Sequence, residues 1–487
     1  MLKNRWVLPL GLAVSAGLGG VMAGGDAAHA ALCPAQLTFQ LDAALNQAPL
    51  DTAYTGIVLQ TQGQNSRTLY DRNGDRLFTP ASNGKLLTTA AALHRLGADY
   101  RIRTSIYGTP GPADSTALRV VGRGDPTLTD AQINSLAQQV AAAGVSQVSV
   151  LVVDDSYFPG FATNPTWEWE DAQFAYAAPV NSLILNRNAI AVQISPTQAG
   201  SPLSAVAARA LPAGPLAIVN DSLTVAAGAS ALPLALGRTG DLPTLRVTGQ
   251  MAQGTATRTL NLAVLNPAQQ FAAALQQALR QQSVAIGQTV ITQNPTPVTG
   301  AELASTVSPP VGELLLVANR DSDNLAAEVL FKTLGVRAGG AGQEASQAGG
   351  AAVKAALGEL GVNVLPLRVA DGSGLSRHNL VSPVAFAETL QAMAVHPQGS
   401  VFRQSLAIAA QSGTLRNRFG GTALAGRLQG KTGALTGNVS LSGYVQPPNY
   451  APLVFSIVIN HSNQHASLLR EKIDQLLLLV AQLQEDC

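Results

Sequence analysis

No lysine lies between Lys85 and Lys332, and most of that stretch reads differently from its two flanks. From about residue 100 to residue 300, short strand-forming runs alternate with Gly and Pro turns. Aliphatic runs such as 148–153 have the composition of buried strands. The flanks carry helical spacing instead. Over 34–47, Leu37, Leu41, Ala44 and Leu45 fall on one side of a helix. Strands are predicted over 55–61 and 67–72 around the turn Gln62-Gly63-Gln64-Asn65, then a helix over 86–96 closed by Gly97. Beyond the block come helices over 312–319, 325–334 and 351–360. Strands over 427–433, 439–445 and 453–460 follow, the first two joined by a turn holding Gly437-Asn438, and a helix over 466–483 ends the chain. Strands this close in sequence favour antiparallel pairing. The expected fold class is α/β (α+β): one domain with an antiparallel sheet, assembled from 31–100 and 305–487. A β-rich insertion of one or two domains over 101–304 splits it.

Composition narrows the function classes. Charged residues are 12% of the 487, hydrophobic ones 46%, and the formal net charge is +1. That balance argues for an ordered globular chain and against a nucleic-acid partner. Residues 1–30 read as a signal peptide: Lys3 and Arg5, an apolar stretch over 6–22 broken by glycines, then Ala28-His29-Ala30 as a cleavage site. A retained membrane anchor is the competing reading, and the short, glycine-broken run argues against it. With the leader removed, no stable membrane insertion is expected, and the protein belongs in the periplasm or cell envelope. Cys33 and Cys487 are the two cysteines. In an oxidising compartment they can pair if the termini are neighbours; otherwise they are separate thiols near the chain ends.

Three short patterns, each occurring once, carry chemistry. Ser82-Asn83-Gly84-Lys85 is a Ser-x-x-Lys at a helix start, so the amine and hydroxyl share a face. Serine needs a neighbouring base to become a nucleophile. Lysine, with a free pKa of about 10.4, serves only if burial or nearby positive charge lowers it. Lys431-Thr432-Gly433 supplies a second lysine on a strand whose edge can pair with an extended peptide, while Lys431 and Thr432 bind its terminal carboxylate. Gly433 leaves room for the ligand's close approach. Ser322-Asp323-Asn324 offers a hydroxyl for proton relay and an amide for the substrate backbone. Singly, each has an ordinary explanation: Ser82 or Ser322 as a helix cap, Lys431 as a solvated strand residue. Together they are the signature of penicillin-binding proteins and class A β-lactamases.

Longer stretches then make the chain resemble the class C low-molecular-mass penicillin-binding proteins, the D-alanyl-D-alanine carboxypeptidase/endopeptidases of the penicillin-binding protein 4 type. They include Gly124-Asp125-Pro126-Thr127-Leu128, Asp154-Asp155-Ser156-Tyr157-Phe158, Trp167-Glu168-Trp169, Asn319 through Glu328, Asp371 through Arg377, and Gly413 through Arg418. The resemblance implies a serine β-lactamase/transpeptidase-like domain interrupted between Ser82 and Ser322. It also implies a serine DD-peptidase acting on peptidoglycan stem peptides, β-lactam antibiotics as covalent inhibitors, and no cofactor. By motif, Ser82 is the acylated nucleophile, Lys85 its base and Ser322 the relay to the leaving D-alanine. Asn324 holds the substrate amide, and Lys431 with Thr432 takes its carboxylate. The oxyanion hole combines the Ser82 N–H with that of Leu435, and Asp125 contacts the amino-bearing side chain of the substrate. Ser412 stands where the family often has Asp.

Other readings are weaker. A β-lactamase of this signature activates water with a Glu, and none of Glu168, Glu170, Glu302 and Glu313 has Asn three positions on. A non-catalytic penicillin or muropeptide receptor would use a membrane segment, and an esterase of small D-peptides would share the site. No metal is expected: His461 and His465 are four apart with no third ligand. Gly122-Arg123-Gly124 lacks the Gly-Lys-Ser/Thr of a phosphate loop.

Overall fold

The computed structural model describes residues 31–63, 65–214, 216–238, 244–339 and 343–487; the leader-like segment and Gln64 lie outside them. Its centre is a six-stranded, wholly antiparallel sheet in the order Ala407–Ile408, Leu428–Leu435, Asn438–Val445, Leu453–Asn460, Tyr54–Thr61, Thr68–Arg72. Strands Asn438–Val445 and Leu453–Asn460 are buried at every position. Burial on both faces explains the near-continuous apolar run of Leu453–Asn460, whereas Asn438–Val445 buries Ser440 and Ser442 as hydrogen-bonded side chains between Val439, Leu441 and Gly443. Successive side chains alternate faces. Ile57 and Leu59 join one core with Leu37, Leu41, Leu476 and Leu477 from the terminal helices Pro34–Leu45 and Ala466–Val480. Val58 points the other way, into a core with Leu86, Leu87, Phe331 and Phe386. Early and late parts of the chain therefore form one body, tied again where Cys33 and Cys487 are bonded, their Cα atoms 5.6 Å apart.

The second core surrounds helix Gly84–Leu96, buried from Lys85 to Leu93 and ended by Gly97 at φ 80°. It lies among Val311–Arg320, Asn324–Ala338 and Ala345–Glu359, with Pro383–Val395 beside the sheet. Asn324–Ala338 is buried continuously from Leu325 to Gly335, which places its first turn deep in the structure.

The lysine-free block is less purely β than its sequence suggests. A five-stranded mixed sheet, in the order Ala285–Thr292, Gln147–Asp154, Thr116–Val121, Arg103–Pro110, Ala301–Val307, carries helices Asp130–Ala142 and Pro267–Gln281. Ile133, Leu136, Val140 and Phe271, Leu275, Leu279 face its core at helical spacing. Ala and Gln between those positions, with little charge, hide the period from the eye. Strand Ala301–Val307 pairs with Arg103–Pro110, so the block ends after Val307 rather than at 304. Smaller sheets, including Ala189–Ser195 between Ser204–Ala207 and Arg258–Ala263, surround a separate core of Ile190, Val192, Ile194, Leu245, Val247 and Leu262. Among the described residues no helix is long and apolar enough to cross a membrane.

Candidate active site

Ser82 stands in the short 3-10 turn Ala81–Asn83 that feeds helix Gly84–Leu96. Ala81 at φ 51° turns the chain sharply into that helix. One helical turn on, Lys85 Nζ donates to Ser82 Oγ at 2.9 Å. It also donates to Asn324 Oδ1 at 2.7 Å and to the Ser373 carbonyl at 2.6 Å, so all three ammonium donors are used. Lys85 is fully buried. Burial pushes its pKa down to about 8, against the raising pull of Asp371, Asp323 and Glu328.

The second motif sits between helices Val311–Arg320 and Asn324–Ala338. Asp323, not Ser322, caps the second helix by accepting from Ala326 N at 2.8 Å. Ser322, at φ 62°, is thereby free to accept from Lys431 Nζ at 2.8 Å. Asn324 uses both ends of its amide: Oδ1 accepts from Lys85 and Nδ2 donates to the Tyr176 carbonyl at 2.8 Å.

Lys431 is fully buried and also donates to the Thr432 carbonyl at 2.7 Å. Burial, and then the neighbouring charge of Lys85, lowers its pKa well below the usual lysine value. Thr432 Oγ1 donates to Thr414 Oγ1 at 2.8 Å. Gly433 is pressed against the Ser82 turn: a Cβ there would run into Ser440 Oγ and stand 2.8 Å from the Pro80 carbonyl and 3.0 Å from Ser82 N.

Two expected positions are corrected. On an antiparallel strand, alternate residues direct their backbone groups to opposite sides. The Arg427 carbonyl accepts from Gln446 N on the side of Asn438–Val445, and the Leu428 carbonyl accepts from Ala409 N on the other. Along the unbroken register Leu435 pairs inward with Asn438, while the Ala434 N–H faces the open edge. Ala434, not Leu435, presents its donor there. Asp125 is buried, and its Oδ1 accepts from Thr127 N at 2.8 Å and Thr127 Oγ1 at 2.7 Å, so it braces its own loop. Burial raises its carboxyl. Asp171 Oδ1 accepts from the Tyr176 hydroxyl at 2.6 Å.

The loop 371–376 supports Lys85, and single motifs give no signal for it. Asp371 accepts from Trp167 Nε1, Gly374 N, Ser376 N and Asn379 Nδ2, at 2.9, 2.8, 2.7 and 2.7 Å. Glu328 Oε1 accepts from Gly372 N at 2.9 Å and Ser373 N at 2.7 Å, which aims the Ser373 carbonyl at Lys85. Burial raises Glu328 and lowers Lys332, one turn further on, whose ammonium donates to the Phe161 and Val180 carbonyls. Glu168 is engaged by Arg377 Nε at 2.6 Å, Ser412 Oγ accepts from Ile408 N, and His465 caps the final helix. A groove of about 630 Å³ opens beside Ser322 and Asn324, with Tyr176 and Arg187 on its walls.

The sequence model of the D-Ala-D-Ala carboxypeptidase 3 (S13) family matches residues 37–481. A protein named D-alanyl-D-alanine carboxypeptidase from Actinomadura sp. (strain R39) is 34% identical, over 93% of this chain and 85% of that one. The D-alanyl-D-alanine carboxypeptidase DacB of Haemophilus influenzae is 26% identical over 85% and 87% of the two chains. The crystal structure of penicillin binding protein 4 from Haemophilus influenzae aligns with a TM-score of 0.79 at 24% identity, covering 90% of this chain and 98% of that one. That likeness shows the fold.

Proposed function

The chain belongs to the D-Ala-D-Ala carboxypeptidase 3 (S13) family, and from that premise we propose that Ser82 is acylated by the D-alanyl carbonyl of a peptidoglycan stem peptide. It is a penicillin-sensitive serine DD-peptidase with a transpeptidase-like fold. One observation carries the residue assignment: two buried ammonium groups join the three motifs, Lys85 touching Ser82 and Asn324, Lys431 touching Ser322.

The substrate's terminal carboxylate binds Lys431 and Thr432, and its backbone runs along the open edge of strand Leu428–Leu435. That carboxylate restores the proton burial disfavours on Lys431. The resulting positive charge keeps Lys85 neutral, as its role as base requires. Ser82 Oγ attacks the scissile carbonyl carbon while Lys85 Nζ takes the hydroxyl proton. The oxyanion is held by the N–H groups of Ser82 and Ala434. The C–N bond then breaks, and the leaving amine takes a proton through Ser322 from the lysine pair. Water, deprotonated by Lys85, releases the acyl group. A β-lactam acylates Ser82 in the same way, but its leaving amine stays tethered.

The same chemistry opens D-alanyl cross-links when the leaving group is a second peptide, and endopeptidase action is included in the proposal. So is export. The Cys33–Cys487 bridge needs an oxidising compartment, and residues 1–30 have the pattern of a cleaved leader. The test is labelling with a fluorescent penicillin beside Ser82→Ala, with D-alanine release from a pentapeptide. Label confined to the wild type, with release, supports the assignment. Equal labelling of Ser82→Ala overturns it, and label without release replaces it with a receptor.

A further inference from the structure

The groove beside Ser322 and Asn324 reaches well past the groups that chemistry at Ser82 requires. One wall is residues 321–325, and the facing wall is formed by Ala189, Ala191, Ala208, Arg209 and Asn261 of the small-sheet block. A volume of about 630 Å³ is in the range that holds a ligand. Residues from two separate cores build it, so its shape follows from tertiary packing and not from one loop.

Two arginines mark it. Arg187 sits in a turn in which Asn186, Arg187 and Asn188 have φ of 48°, 63° and 49°. Three consecutive left-handed residues without a glycine are costly, and such strain persists where surrounding structure enforces it. The enforcement is visible: buried Asn188 donates to the Pro179 carbonyl and Asn181 Oδ1 at 2.8 Å each and accepts from Leu185 N at 3.2 Å. Asn186 Nδ2 donates to Asp130 Oδ1 at 2.9 Å. The turn brings Arg187 onto Asp323, with half of the arginine side chain still exposed in the groove. Arg209, on the facing wall, donates to the Ala189 carbonyl at 3.3 Å and has no carboxylate partner among the described residues. The acids in the groove, Asp321 and Asp323, both belong to the motif wall, where Arg187 offsets Asp323.

We propose that Arg209, which lines the groove together with Arg187, forms a second carboxylate subsite that binds a free carboxylate on the acyl side of the scissile bond. The proposal rests on the DD-peptidase reading. In the hydrolysis of a pentapeptide, Lys431 and Thr432 hold the terminal carboxylate in this reading, and the leaving D-alanine carries no other. An acid reaching Arg209 therefore lies on the portion of the stem that stays attached to Ser82. A planar guanidinium suits a carboxylate held in two-point contact. The substrate class that fits is a stem peptide with an unamidated γ-linked D-glutamyl residue.

The experiment compares two synthetic pentapeptides, L-Ala-γ-D-Glu-L-Lys-D-Ala-D-Ala and its analogue with the D-glutamyl α-carboxylate converted to an amide. The wild type should favour the acid in kcat/KM by about tenfold, the scale of one charged hydrogen bond. Arg209→Gln should bring the ratio near one, and Arg209→Lys should restore part of it. A wild-type ratio near one, or a ratio that survives in Arg209→Gln, overturns the subsite while leaving the DD-peptidase reading intact. Hydrolysis of neither peptide by the wild type removes that reading and the subsite with it.

Discussion

The Ser373 carbonyl oxygen accepts a 2.6 Å hydrogen bond from the Lys85 ammonium, closer than the 2.9 Å bond that Lys85 makes to Ser82. The base is thus held by a loop almost 290 residues away in sequence, and that loop is held by Glu328 and Asp371. The ammonium can swing to Ser82 without losing its seat, because one backbone acceptor stays fixed.

Lys85 must be neutral to take the serine proton. With its pKa pushed down to about 8, the rate of acylation by penicillin should rise with pH and level off above about 8. Below that value the rate should fall about tenfold per unit, as the neutral fraction does. Stopped-flow acylation across roughly pH 5 to 10 reads this directly. A flat profile would exclude Lys85 as the titrating base.

Glu328→Gln keeps an oxygen for the two N–H donors of the loop and removes a carboxyl whose pKa burial raises to about 8 and whose charge, where it is ionised, raises the Lys85 pKa. The top of the acid limb of the same profile, near pH 8 where Glu328 ionises, should move to lower pH. Glu328→Ala should in addition lower the plateau, because the Ser373 carbonyl loses its support. A limb unmoved in Glu328→Gln would mean that Glu328 acts through hydrogen bonding alone.

Gly433→Ala places a methyl group 3.0 Å from Ser82 N and 2.8 Å from the Pro80 carbonyl. Displacing the nucleophile turn by a fraction of an ångström should slow acylation by about a hundredfold. Thermal unfolding should change much less than the rate. Penicillin labelling at wild-type speed would show that the strand edge yields instead.

A peptide ending in D-alaninamide lacks the anion that Lys431 and Thr432 hold. Its kcat/KM should fall by about tenfold to a hundredfold relative to the free acid, the cost of about one charged hydrogen bond or two. Lys431→Gln should abolish most of that preference. Equal turnover of acid and amide by the wild type would place the carboxylate elsewhere.

Cys33→Ser opens a bridge between two chain ends that also meet through backbone bonds from Leu32 to Gln482 and from Gln484 to Leu32. The loss should be about 2–4 kcal/mol of stability, read from denaturant unfolding under non-reducing conditions. Penicillin labelling at room temperature should persist, since the bridge is remote from Ser82 in the fold. Unchanged stability would show that helices Pro34–Leu45 and Ala466–Val480 alone hold the termini.

The sequence by itself determined the family and the sheet, and it holds Ser82, Lys85, Ser322, Asn324 and Lys431, proposed to carry the chemistry, in motifs whose spacing is local. Strand 453–460 is legible because burial on both faces demands apolar residues at nearly every position, and strand 439–445 because Val439, Leu441 and Val445 recur at alternate positions. What stayed hidden was whatever depends on direction or on distant partners. The helices Asp130–Ala142 and Pro267–Gln281 were masked by Ala and Gln in their periods. Choosing Ala434 over Leu435 needs the phase of the strand's backbone groups, which side-chain identity does not encode. The resemblance implies a substrate contact for Asp125, and its bonds to Thr127 become visible only in the folded loop. The Ser373 carbonyl has no residue signature at all, since every residue has a carbonyl. Only the packing of helix Asn324–Ala338 against loop 371–376 decides which one meets Lys85.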